Sequence, residues 1–200
     1  MYLQSSPILA LASSGELFRQ ILPFALAGAV ALIALHLLLA LIYRGNPAPR
    51  SKWNWWDVLI YLGTLGSVAV LGVTAFVAVM RTGELLGWML FFHMFGAGAL
   101  TAALPVLALS WAHANRLELR PAAGGGSRPP KFFLLSRLMF WVILASGFVV
   151  TMTMLVSMLP TFGTDGLLTL LNIHRYSGLV LVIAAVMHFY SVGVQRVGLQ

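Results

Sequence analysis

The chain contains no cysteine. That excludes disulfides, thiolate-held iron–sulfur clusters, zinc–thiolate sites and covalently attached c-type haem within this chain. Charge is also scarce, at 8% of residues, against about 25% in a soluble domain. Carboxylates are rarest of all. Asp57, Glu84 and Asp165 stand at the ends of apolar runs rather than inside them, so the intramembrane carboxylates that proton relays ordinarily recruit are missing. The strict alternation of a membrane barrel is missing too.

What remains is apolar. Of 200 residues, 60% are hydrophobic, and they fall into runs of the roughly 20 residues needed to cross a bilayer. The expectation is an all-α, polytopic membrane protein with five transmembrane helices, over about 21–43, 58–80, 88–112, 132–159 and 167–190. Residues 1–20 carry no basic leader and read as an extracytoplasmic or interfacial segment. Residues 21–195 form the bundle, and 196–200 a cytoplasmic tail. Gly63, Gly66 and Gly72 in helix two predict close approach of a neighbouring helix. Pro105 predicts a kink in helix three.

The net charge of +7 would suit nucleic acid in a soluble protein. Here it reads as topology, and no nucleic-acid partner is expected. Arg44, Arg50, Lys52, Arg116, Arg120, Arg128, Lys131, Arg137 and Arg196 fall on one side of the expected membrane, and only Arg19, Arg81 and Arg175 on the other. The positive-inside rule puts the N-terminus outside and the C-terminus in the cytoplasm. Helices one, three and five then run parallel. A bacterial inner membrane is the expected location.

Ionisable residues inside such helices mark function by default, and the candidates are histidines. The last helix carries His174 and His188, fourteen positions apart. That is about 21 Å of rise, with the second imidazole within about 40° of the first. Such spacing suits two stacked haems. His93 lies nine residues after Glu84 and His174 nine after Asp165. His36 and His188 each lie eight before a flanking arginine. In parallel helices the levels pair His93 with His174 for an outer haem, and His36 with His188 for an inner one. Opposed imidazoles can ligate one haem iron axially.

Small residues three and four positions away share a histidine's helix face. His93 has Gly96 and Ala97, His174 has Ser177 and Gly178, and His188 has Ala184 and Ala185. His36 has only Ala40 among Leu32, Ile33 and Leu39. His113, twenty residues from His93, faces away from it and is a candidate for quinone binding or proton uptake. Arg81 and Arg175 are candidates for haem propionates, or else snorkelling surface arginines. A lone membrane histidine can equally be a hydrogen-bonded packing residue.

The closing stretch HRYSGLVLVIAAVMHFY resembles the last helix of the di-haem b-type cytochrome subunits of formate dehydrogenases, nickel–iron hydrogenases and thiosulfate reductases. In that family the last helix holds two haem-ligating histidines at this spacing, matching His174 and His188. Single ligands from earlier helices would match His36 and His93. The family has four helices with ligands on the first two, whereas here five helices are expected and the second and fourth bear no histidine. The five-helix haem subunit of nitrate reductase is a second analogue, with its ligands paired on two helices. The resemblance implies two non-covalent b-type haems and a quinone close to His188. It also implies electron transfer between a quinone pool and an extracytoplasmic cytochrome, iron–sulfur or catalytic subunit. With so little extramembrane mass, the chain is expected to be a subunit of a respiratory oxidoreductase rather than a complete enzyme. A haem-free transporter and a structural membrane anchor are the alternative readings.

Overall fold

The computed structural model describes residues 7–42, 53–116 and 131–197. They form five helices, α1 (Pro7–Ile42), α2 (Trp55–Arg81), α3 (Gly87–Trp111), α4 (Lys131–Ser157) and α5 (Thr164–Val197). All five contain a segment long and apolar enough to cross a membrane. The basic residues of loops 43–52 and 117–130, and the tail beyond 197, lie outside the described residues.

Helix ends follow local chemistry. α2 starts at Trp55 rather than at residue 58, because Asn54 and Asp57 form a capping box. The Asn54 side chain accepts from the Asp57 N–H at 2.8 Å, and the Asp57 carboxylate accepts from the Asn54 N–H at 3.0 Å. Two orphan donors of the first turn are thereby satisfied. The α2–α3 turn needs left-handed backbone at Gly83 (φ 79°) and Gly87 (φ 55°), which glycine adopts without steric cost. α1 begins at Pro7, well before the start expected at residue 21, and α5 extends past its expected span at both ends. These helices outrun their apolar segments because nothing in the flanking sequence breaks them.

Contacts fix the directions. Phe18 packs edge-on against Tyr176, and His36 meets Tyr190, so α1 and α5 run parallel. α3 parallels them, with His93 beside His174 and Trp111 on the same cavity as His188. α2 and α4 run opposite. The core lies between α2, α3, α4 and α5, around Val68, Leu100, Phe140 and Leu181. α1 joins it through a smaller cluster of Phe18, Leu22 and Leu179. Most remaining large apolar side chains are exposed, as on Phe24, Phe95 and Leu109, which suits a lipid-facing surface.

Glycines set the closest helix approaches, in part where expected. Gly72 meets Val182 of α5, and Gly147 meets Leu104 of α3. Gly63 and Gly66 have nothing within 4 Å of a notional Cβ, so the close packing expected of them is confined to Gly72. α3 runs unbroken through Pro105.

Candidate functional site

α3 and α5 bring two imidazoles together inside the bundle. The ring centres of His93 and His174 are 6.4 Å apart, with their planes at 62°. Each ring is held by a threonine of the preceding helix. His93 Nδ1 lies 3.1 Å from Thr74 Oγ1 on α2. His174 Nδ1 lies 3.1 Å from Thr153 Oγ1 on α4.

The direction of these bonds follows from the threonines. Thr74 donates its one proton to the Val70 carbonyl at 2.6 Å. Thr153 donates its proton to the Val150 carbonyl at 2.9 Å. Each hydroxyl therefore has only lone pairs left to offer. With the hydroxyl protons on these carbonyls, both imidazoles donate from Nδ1, which leaves each Nε2 as an acceptor on the ring edge away from its threonine. Metal-ligating histidines are held in this way, with the second nitrogen donating to a fixed acceptor.

The span suits one metal ion. A metal about 2.0–2.1 Å from each imidazole nitrogen, with about 1.1 Å from nitrogen to ring centre, places the centres about 6.3 Å apart. Among the described residues, no group of three or more His, Cys, Asp or Glu could hold a metal ion. Two neutral imidazoles alone leave a four- or six-coordinate ion unsatisfied, whereas a porphyrin brings four nitrogens of its own. Gly178, one turn beyond His174, has nothing within 4 Å of a notional Cβ and leaves clearance for a flat group on that face. Gly96 does not, because it packs against Val70 and Leu71 of α2.

The other histidines are not paired with one another. His188 is buried and donates from Nδ1 to the Ser136 carbonyl of α4 at 3.0 Å. Its ring fronts a cavity of about 30 Å³ lined by Tyr61, Trp111 and Phe140 among others. His36 reaches the same level of α5 but bonds Tyr190, with Nδ1 2.6 Å from the phenol oxygen. Tyr190 follows His188 by two residues, about 200° around the helix. His36 and His188 thus occupy opposite sides of α5, and the structure does not bring them together. His113 is exposed in the turn after α3 and does not line the cavity.

Arg175 and Arg81 lie at the same end of the bundle as His93 and His174. Arg175 Nη1 is buried without a hydrogen-bond partner. It points toward α1, 3.5 Å from a notional Cβ on Gly15. Arg81 is exposed, and Arg19 caps the adjacent Met80 carbonyl at 3.3 Å.

Thr74, Thr153 and Ser136 were not legible as site residues. A threonine inside a helix normally bonds back to the carbonyl four residues earlier, and only the facing helix reveals its second contact. Comparison with protein-family models, curated proteins and solved structures found no match.

Proposed function

We propose that this chain is an integral-membrane b-type cytochrome subunit of a respiratory oxidoreductase. It would carry electrons between a quinone pool and an extracytoplasmic redox partner. The observation that carries this reading is the facing pair His93 and His174, each imidazole fixed by a threonine so that Nε2 is left as a ligand. A haem bound there would supply reversible one-electron chemistry at its iron.

The chain's own residues supply position and environment. α3 and α5 present the two ligands, and Thr74 and Thr153 hold the tautomers. Gly178 keeps one ring face clear. Leu71 and Val150, whose carbonyls meet Thr74 and Thr153, are buried, and a site's burial and polarity are levers on haem potential. Arg175, with a buried donor unsatisfied, is the cation best placed to meet a carboxylate at this end of the bundle. The excess of basic residues in the segments after helices one and three supports an N-terminus outside and a C-terminus in the cytoplasm of a bacterial inner membrane.

The test is spectroscopic. Protein purified in detergent should show a dithionite-reduced b-type absorbance and a pyridine-haemochrome signal. Both His93→Ala and His174→Ala should abolish the same signal. A colourless wild-type protein would sink the proposal and favour a haem-free transporter or a structural anchor.

A further inference from the structure

The resemblance noted in the sequence implies two haems. The structure supplies a matched ligand pair at only one level. We infer that this chain holds a single haem, on His93 and His174, and that His188 is a hydrogen-bonded core histidine without a facing imidazole. The inference rests on the haem reading above and narrows it.

The chain has five histidines, and all five are among the described residues. His93 and His174 face each other. His188 lies fourteen residues further along α5, about 21 Å away along the axis, and needs a partner of its own. His36 is at the right level, but it bonds Tyr190 on the far side of α5. His113 is exposed beyond the end of α3. No second imidazole is left for His188.

The bond from His188 to the Ser136 carbonyl would itself suit a ligand. What decides is the absence of a facing imidazole, and aromatic side chains take the place opposite His188. Tyr61 lies 6.1 Å from the His188 ring, centre to centre, and stacks in turn on Trp111 at 5.9 Å. Phe140, 1% exposed, closes another side. The cavity they leave is about 30 Å³. Trp111 is also tied at its far edge, donating from Nε1 to the Asp57 carboxylate at 3.1 Å. A second porphyrin would have to displace this aromatic wall and break that bond.

The test counts haem per chain by pyridine haemochrome against protein, in the wild type and in His188→Asn and His36→Leu. Asparagine keeps an N–H able to reach the Ser136 carbonyl. His36 lies on the loosely covered α1, so its variant should fold even if the other does not. One haem per chain in the wild type, with an unchanged spectrum in the variants, is expected. Two haems per chain, or loss of one in either variant, would overturn the single-haem inference while leaving the cytochrome reading intact. A wild-type protein without haem would overturn both.

Discussion

Thr153 accepts a hydrogen bond from the Nδ1–H of His174 at 3.1 Å while donating its own proton to the Val150 carbonyl. Thr74 stands in the same relation to His93, at the same 3.1 Å, while donating to Val70. Two helical hairpins thus present one imidazole each, in one tautomer. Replacing either threonine by valine keeps the shape and removes the acceptor. Haem affinity should fall about 10- to 100-fold, the usual effect of losing such a partner. Serine at the same position should restore it. Haem titration of the apoprotein measures both.

Gly178 is open in the structure, with no atom within 4 Å of a notional Cβ. Gly178→Ala should leave the thermal stability of the haem-free protein unchanged or slightly raised, since alanine favours helix by up to about 1 kcal/mol over glycine. It should weaken haem binding, because the added methyl stands on the His174 face. Gly63→Ala, equally open but far along α2, should leave haem binding alone. Equal affinities in the two variants would argue against a flat ligand beside Gly178.

Gly147 is a different case. A Cβ there would lie 2.9 Å and 3.0 Å from the two methyls of Leu104, and Leu104 is only 8% exposed. Gly147→Val should force α3 and α4 apart and cost about 1–3 kcal/mol, the range for overpacking a core. A lowered unfolding midpoint in detergent would report it. Leu104→Ala in the same chain should relieve part of the loss.

The cap of α2 can be tested separately. Asn54→Ala removes an acceptor from the Asp57 N–H and should cost about 0.5–2 kcal/mol. Its effect should be confined to stability, with no change in any haem spectrum, since the cap lies at the opposite end of α2 from Thr74.

Orientation is open to labelling, because the chain has no cysteine of its own. Glu84→Cys, between α2 and α3, should react with a membrane-impermeant maleimide in intact cells. Ala123→Cys, in the basic segment after α3, should react only after permeabilisation. The reverse pattern would invert the topology argued from the basic residues.

The five helices could be read in advance because burial in lipid requires an unbroken apolar run, and sequence displays such runs directly. The levels of the histidines could be read for a similar reason. Helical rise is fixed at about 1.5 Å per residue, so counting from a flanking charge gives depth. Helix ends were harder. The early start of α2 depended on the paired side chains of Asn54 and Asp57, and α1 and α5 continue beyond the apolar runs that announced them.

Direction around the axis is where the reading of His36 and the structure part. Depth along one helix says nothing of which neighbour that helix turns toward. His36 and His188 share a level, yet α1 packs on the Tyr190 side of α5, while Ser136 and Tyr61 occupy the His188 side. The order of residues alone set out five helices long and apolar enough to cross a membrane, with imidazoles at two levels along them, because hydropathy and helical rise are local properties of one chain segment. Which imidazoles face each other, which threonines hold them and how little room lies beside His188 were decided by tertiary packing alone, because the rotation of each helix about its axis is set by the side chains of the helices beside it.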